Sequence, residues 1–251
     1  MLVARRRELI LDEVRAHRAV QVSALAQQFG VSEITVRRDL SHLAQAGKVT
    51  RVHGGAVQDG AEPPFATTVT RRSPAKQRIG RAAARLVPEG GTVMIDIGTT
   101  ALELARALRG REVTVITSNL AVVEELLPER GVELLILGGV VRRNHRSLVG
   151  SLAEDSLRQL AADVAFLGAS GLRLRDLAVM DTTTSEVPIK RGMMAAADRS
   201  VLLVDEHKFS SGGVVRVCGA EAFSAVVTDA DRSSAPCEAL ERSGVTVVHA
   251  P

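Results

Sequence analysis

Ser23-Ala-Leu-Ala-Gln-Gln-Phe-Gly-Val-Ser-Glu-Ile-Thr-Val-Arg-Arg-Asp-Leu40 reads as two short helices joined by a tight turn. Ser23 is placed to cap the first helix and Ser32 the second, each hydroxyl accepting from first-turn N–H groups. Between them Gly30 supplies the backbone freedom that reverses the chain. Leu25 and Phe29 share one face of the first helix, and Val36, Leu40 and Leu43 repeat along the second. Both helices therefore turn an apolar stripe toward one core. Thr35, Arg37, Arg38 and Ser41 are left at the sides and outer face of the second helix. That is the layout of a helix-turn-helix, whose second helix enters the major groove of duplex DNA. A plain helical hairpin needs the same apolar spacing but not an outer face of Thr, Ser and two Arg. Ser32, Thr35, Arg37, Arg38 and Ser41 are thus candidate DNA contacts.

The flanking residues extend the motif. Arg5 to His17 reads as a helix with Leu9, Ile10 and Val14 on its buried side, and Ala19-Val-Gln-Val22 as a short strand. Gly47 ends the second motif helix. Lys48 to Val57 then alternates polar and apolar residues around Gly54-Gly55, which predicts a β-hairpin paired with the strand at 19–22. A helix-turn-helix followed by such a hairpin is a winged helix, here spanning residues 1–57. Arg51 and His53 fall on its wing, near phosphates or the minor groove.

Ser32-Glu-Ile-Thr-Val-Arg-Arg-Asp-Leu40, followed by Gly47-Lys-Val-Thr-Arg-Val-His-Gly-Gly-Ala56, resembles the N-terminal domain of the DeoR family of bacterial transcriptional regulators. The Arg-Arg-Asp-Leu and His-Gly-Gly-Ala elements are specific together at this separation, and weak singly.

Charge is distributed as this reading requires. Residues 1–57 carry nine Lys/Arg and five Asp/Glu, a net +4, against a net −1 for the remainder. The positive excess lies where phosphates would be met. Trp and Tyr are absent and Phe numbers five, too few for the aromatic platforms on which single-stranded nucleic acids stack. The expected partner is double-stranded operator DNA. No apolar run approaches ~18 residues, so no membrane partner is expected. The N-terminus lacks the pattern of a secretory signal, and Cys218 and Cys237 stand alone as reduced thiols, which points to the cytoplasm. The six His are scattered, and neither a metal nor another cofactor is expected.

Gln58 to Pro74 is rich in Pro, Thr and Gly and reads as a linker, kept extended by Pro63-Pro64. Residues 75–251 then alternate helices with short apolar strands. The strands are Thr92–Asp96, Val113–Thr117, Val132–Leu137, Val164–Leu167, Val201–Val204, Ala225–Thr228 and Val245–Val248. The helices are Ala75–Leu86, Ala101–Leu108, Leu120–Leu127, Leu152–Leu160 and Val187–Ala197. The fold class is α/β, a mostly parallel sheet covered on both faces, carried behind a small winged helix.

In such a sheet ligands bind beyond the carboxyl ends of the strands. Those ends here read Asp96-Ile-Gly98-Thr99-Thr100, Ser118-Asn119, Gly138-Gly139, Gly168-Ala-Ser170-Gly171 and Asp205-Glu-His-Lys208. Glycines allow close backbone approach, and helix N-termini with Thr and Ser hydroxyls suit a phosphate. Asp96, Asn119 and Asp205 suit sugar hydroxyls, and Lys208 or Lys190 a phosphate charge. Each loop alone is explained by caps and turns; several converging on one edge point to a polyol-phosphate pocket. Glu186 and Lys190 share a helix face, as either a pocket wall or a surface ion pair.

Asp96-Ile-Gly-Thr-Thr100, Leu137-Gly-Gly139, Glu186-Val-Pro-Ile-Lys190 and Asp205-Glu-His-Lys-Phe209 resemble the sensor domain of DeoR-type regulators. That domain is similar in fold to ribose-5-phosphate isomerase, glucosamine-6-phosphate deaminase and CoA transferases. The resemblance covers nearly the whole chain. It implies a repressor of sugar or related carbon metabolism genes, relieved by a phosphorylated sugar or derivative. Two stretches depart from the pattern: Thr117-Ser-Asn119 stands where many relatives have Thr-Asn-Ser, leaving Ser118 and Asn119 as alternative ligand contacts, and Arg173–Asp181 lacks an expected glycine.

The competing function is a sugar-phosphate isomerase or deaminase with an added N-terminal domain. Asp96, Glu186 and Asp205 offer carboxylates, but no His joins them in a recognisable acid–base constellation. The expectation is a regulator and not an enzyme. It should act as a homo-oligomer, dimer or tetramer, because one winged helix makes few base contacts.

Overall fold

The computed structural model describes residues 3–17, 19–45, 49–52, 54–58 and 65–251. Its contacts divide the chain into two compact units, 1–67 and 68–251.

In the first unit, α1 (Val3–His17) leads through β1 (Ala19–Gln21) into α2 (Val22–Phe29) and α3 (Glu33–Gln45), followed by β2 (Val49–Val52) and β3 (Gly55–Gln58). The three strands form an antiparallel sheet in the order β1-β3-β2, so the wing is present and pairs with the first strand as the alternation predicts. Gly55 is required there, since a Cβ would lie 1.9 Å from the Val20 carbonyl oxygen. Gly30, at φ 62°, closes α2 in the left-handed region. Ile10, Val14, Val22, Leu25, Val36, Leu40, Leu43, Val49 and Ala56 form the core.

The cap assigned to Ser23 is a correction. Helix α2 starts two residues earlier, at Val22, its cap position is Gln21, and no side chain caps it among the described residues. The Val22 N–H instead donates to the Gly54 carbonyl across the wing turn, at 2.7 Å. A strand running directly into a helix lets backbone do what a hydroxyl would otherwise do. Gly47 and His53 lie outside the described residues.

The stretch read as linker is partly helical. Phe65–Val69 forms α4, and α5 (Ser73–Ala84) begins with Pro74 in its first turn, where a missing N–H costs nothing. Pro74, counted as the end of the linker, lies in the first turn of a helix. Pro63-Pro64 lies outside the described residues.

In the second unit, β4 (Thr92–Ile95), α6 (Thr99–Ala107), β5 (Val113–Thr117), α7 (Leu120–Leu126) and β6 (Val132–Ile136) form successive parallel crossovers. A hairpin of β7 (Val140–Arg142) and β8 (Ser147–Val149) precedes α8 (Ser151–Leu157) and β9 (Ala162–Gly168). After β10 (Gly171–Arg173) and β11 (Ala178–Asp181) come α9 (Val187–Ala195), β12 (Ala197–Leu203), β13 (Val215–Gly219), β14 (Ala225–Thr228), α10 (Ala235–Arg242) and β15 (Thr246–His249).

Seven strands pair in parallel in the order β15-β14-β12-β9-β4-β5-β6. Alternate side chains go to opposite faces. Val93, Ile95, Val115, Phe166 and Val227 pack with α5, α6 and α7, whereas Met94, Ile116, Leu167 and Leu202 pack with α8, α9 and α10. No helix among the described residues is long and apolar enough to cross a membrane.

Three features are absent from the sequence reading: the β7–β8 hairpin, helix α10, and an antiparallel sheet in the order β10-β11-β13. The β10–β11 turn is the stretch without the expected glycine. Leu177 takes its place there at φ 46°, braced by paired hydrogen bonds from Arg173 to Asp176 of 2.7 and 2.6 Å.

Candidate functional site

On the DNA-reading unit, the Ser32 hydroxyl accepts from the Thr35 N–H at 3.2 Å and meets the Thr35 hydroxyl at 2.9 Å, so it caps α3 as the sequence suggests. Arg37 and Arg38 are both exposed, and Arg37 ion-pairs with Glu33 one turn earlier at 2.9 Å. The Ser41 hydroxyl donates to the Arg37 carbonyl at 2.7 Å. Arg51 lies on β2, and its side chain and His53 are outside the described residues.

Beneath that surface lies a contact the sequence reading missed. Asp39, only 2% exposed, accepts from Arg6 at 2.6 Å and from Arg7 at 2.9 Å. The Arg-Arg-Asp-Leu element therefore divides: its arginines face outward and its aspartate fastens α3 to α1. The three adjacent arginines at 5–7 were the available signal, since one Arg falls on the apolar side of α1.

At the carboxyl edge of the large sheet, Asp96 follows β4 and is fully buried. Its Oδ2 accepts from the Gly168 N–H at 2.9 Å and ion-pairs with Lys190. Lys190 also donates to the Gly168 carbonyl at 2.9 Å and lies 3.5 Å from Asp181. Burial alone would lower the Lys190 pKa, but Asp96 and Asp181 outweigh it and the ammonium is held charged. Glu186, at the start of α9, is equally buried. It accepts from Ser147 at 2.7 Å and pairs with Arg142, both on the β7–β8 hairpin. Burial pushes its carboxyl up, aided by Asp96, while the bonds from Ser147 and Arg142 pull the other way. Glu186 and Lys190 are therefore both buried and not a surface pair.

Asn119 is fully engaged by the fold. Its Oδ1 accepts from the Ala121 and Val122 N–H groups as the cap of α7, and its Nδ2 donates to the Asp96 and Gly98 carbonyls at 3.3 and 3.4 Å. The neighbouring Ser118 hydroxyl, Asp96 Oδ1 and Glu186 Oε2 are among six buried side-chain atoms that find no hydrogen-bond partner among the described residues.

Gly98, at φ 102°, opens α6, whose first turn carries Thr99 and Thr100. Ser170 bonds to Thr182 at 3.2 Å and Asp181 at 3.5 Å. Asp205 caps the turn Glu206–Phe209 by accepting from the His207 N–H, and Lys208 donates to the Ser170 carbonyl at 3.4 Å. Gly138 and Gly139 instead turn the chain from β6 into β7. Gly139, at φ 134°, leaves room for the Val149 carbonyl, which a Cβ would meet at 2.5 Å.

Lys76 of α5 was not foreseen. It is 4% exposed and donates to the Thr68 carbonyl at 2.8 Å. Burial draws its pKa down to about 8, opposed by the charge of Asp205 and reinforced by that of Lys208. Its signal was a lone lysine in an otherwise Ala-rich helix. Arg142, Ser147 and Asp181 were missed because they belong to strands too short to show a period.

Residues 6–61 match the DeoR-like helix-turn-helix domain and residues 71–230 the DeoR C terminal sensor domain. The putative aga operon transcriptional repressor of Escherichia coli O157:H7 is 32% identical over 97% of this chain and 92% of its own length. The glycerol-3-phosphate regulon repressor of Escherichia coli strain K12 is 31% identical, over 88% of each chain. The transcriptional repressor GlcR of Bacillus subtilis is 28% identical, over 95% of this chain and 93% of its own. Ribose 5-phosphate isomerase A from Methanocaldococcus jannaschii superposes on 53% of the chain at 19% identity, with a TM-score of 0.40, too partial a likeness to speak to activity. A 4-hydroxybutyrate CoA-transferase from Porphyromonas gingivalis covers 68% at 16% identity and 0.41. The chain is a member of the DeoR family: a DNA-binding transcriptional regulator, not an enzyme, with a winged helix at its N-terminus and a parallel α/β sensor domain behind it.

Proposed function

We propose that the chain represses genes of sugar or related carbon metabolism and releases its operator when a phosphorylated sugar binds the carboxyl edge of the sensor sheet. The observation that supports this best is the set of buried Asp96, Glu186, Asp181 and Lys190 with half-buried Arg142, which links four separate segments at the place where such sheets take ligands. The names of relatives that repress an aga operon and a glycerol-3-phosphate regulon agree. In this reading the first turn of α6, with Thr99 and Thr100, and the amines of Lys208 and Lys76 receive the phosphate. Asp96, Ser118, Ser170 and Glu186 face the sugar. Asn119 and Gly168 hold the loops, and Asp205 positions Lys208. On α3, Ser32, Thr35 and Ser41 meet phosphates while Arg37 and Arg38 read base edges, with Arg51 and His53 on the wing. Two or more copies bind together, through the sensor domains, in the cytoplasm.

The test is operator binding by fluorescence anisotropy, with and without a panel of sugar phosphates and their unphosphorylated partners. A phosphorylated member that weakens operator binding about 5- to 150-fold, the usual range of allosteric coupling, supports the proposal. Release by unphosphorylated sugars alone overturns it.

A further inference from the structure

β6 differs from every other strand of the large sheet. Val132-Glu-Leu-Leu-Ile136 is an apolar run of the kind that parallel sheets bury on both faces. Yet none of its five residues is buried, whereas each of the other six strands has at least one that is. Even β15, at the opposite edge, keeps Val247 at 6% exposure in the core with Leu240 of α10. Ile136 is 49% exposed, and just beyond it Val140 and Val141 of β7 and Leu152 of α8 are exposed too. Gly138 joins them, since a Cβ on it would have the Leu152 Cβ as its nearest neighbour, at 3.9 Å. Four large apolar side chains thus line one free edge, a strip on the order of a few hundred Å², the size at which bare surface marks an interaction site.

The backbone of that edge is open as well. The Gly131 carbonyl accepts from the Val113 N–H at 3.2 Å, and the Leu137 N–H donates to the Thr117 carbonyl at 2.9 Å. The odd-numbered residues of β6 therefore turn their peptide groups toward β5. Leu134 and Ile136 turn theirs outward, where no backbone group among the described residues meets them. Soluble sheets ordinarily blunt such an edge with Lys, Pro, a bulge or a covering segment. β6 has no Lys or Pro, and its register with β5 runs unbroken from Val132 to Ile136. Its one charged residue, Glu133, accepts from the Thr114 hydroxyl of β5 at 3.2 Å.

We infer that a second copy of this chain covers the edge, β6 pairing antiparallel with β6 about a two-fold axis so that one sheet runs through both copies. The outward N–H and C=O groups of Leu134 and Ile136 are their own complement under that symmetry: with the axis at Leu135, Leu134 of each copy meets Ile136 of the other. Parallel pairing would need one copy shifted by a residue along the strand, which a closed two-fold does not allow. The strip and its exposed rim, which includes Leu127, Glu133 and Arg143, are on the order of the 800 Å² per copy that a stable dimer covers. This assignment rests on the reading above that copies act together through their sensor domains, and adds the face and the manner of pairing.

The experiment follows the full chain by sedimentation and by hydrogen exchange, from nanomolar to tens of micromolar concentration. On dilution the Leu134 and Ile136 amides should exchange ten-fold or more faster, while those of β14, inside the sheet, do not change. Ile136→Pro removes an outward N–H and no bond to β5, and Ile136→Lys puts a charge on the edge. Each should weaken assembly ten-fold or more and leave the urea transition of the dilute monomer unchanged; if the proline disturbs the fold, the lysine variant decides. Val214→Lys, at an exposed valine before β13, should assemble as the parent does. Amides that exchange alike at all concentrations, or Ile136 variants that assemble like the parent, overturn the pairing and leave the oligomer reading intact. A parent chain that stays monomeric at tens of micromolar overturns both. Neither result bears on the sugar-phosphate reading, which operator release decides.

Discussion

Lys190 on α9 and Asp96 at the end of β4 form a buried ion pair across 94 positions of sequence. The pair closes the sensor sheet against α9, and the Asp181 carboxylate shares the same ammonium. Removing one partner of a buried pair strands the other charge, at a cost of ~3–5 kcal/mol. Lys190→Met should therefore lower the urea midpoint of the sensor transition by that equivalent. An unchanged midpoint would mean the pair contributes nothing to the fold. For the same reason Asp96→Ala is a poor probe of ligand binding, and Thr99→Val with Thr100→Val is the cleaner one. That double variant should keep operator affinity and lose its response to the effector.

On the reading head, the two arginines of α3 differ in surroundings. Arg37 is already paired with Glu33, an exposed contact worth about 0.5 kcal/mol or less, whereas Arg38 has no ion-pair partner among the described residues. Arg38→Ala should cost ~1–3 kcal/mol of operator affinity and relax preference at one base pair. Gel-shift titrations against single-base operator variants would show this, and equal loss on every sequence would assign Arg38 to phosphates instead.

Asp39→Ala should act differently. It leaves Arg6 and Arg7 without their buried acceptor and frees α3 from α1. Binding to all DNA sequences should fall together, and the first unit should melt earlier. Circular dichroism of the full chain separates this from a lost base contact.

Gly55→Ala forces a methyl group into the Val20 carbonyl at 1.9 Å. The β1–β3 pairing should open and the wing detach, with loss of ~2 kcal/mol or more, as for other severe clashes in packed structure. Gly54→Ala, with open space around it but φ at 80°, should be milder.

How far the sequence discloses this molecule follows from length and period. The winged helix and all seven central strands are legible, because long apolar runs and the 3.6-residue stripe of Val36, Leu40 and Leu43 carry their own signal. Strands of three residues such as Ser147–Val149 contain barely one alternation, so the hairpin that brings Ser147 and Arg142 to Glu186 was invisible. Pairings such as Lys190 with Asp96, or Asp39 with Arg6, depend on tertiary placement that no local pattern encodes. The missing glycine at Arg173–Asp181 is visible in the sequence, but its replacement by Leu177 in the left-handed region appears only in the backbone.

Lys76 gives stability a particular dependence on pH. Its pKa lies near 8 in the folded chain, against 10.5 for an ordinary lysine. Below pH 8 both folded and unfolded chains hold the proton, and the fold bears the cost of burying it. Between about pH 8 and 10.5 only the unfolded chain remains protonated, so this residue makes stability rise with pH across that window. Denaturation midpoints between pH 7 and 10 should show that rise in the parent chain and lack it in Lys76→Met.

The same amine has a practical consequence. The chain carries only four lysines against 28 arginines, and three of the four, Lys76, Lys190 and Lys208, stand at the carboxyl edge of the sensor sheet. Acylating reagents need an accessible neutral amine: Lys208 is half-buried, Lys76 is 4% exposed with a pKa near 8, and Lys190 is buried and held charged. Mild acetylation followed by peptide mass mapping therefore reads that edge at Lys208, and at Lys76 as the edge opens, against labelling of Lys48 and the α-amine. Protection of Lys76 and Lys208 by an added sugar phosphate would report occupancy directly, before any operator or gene is known.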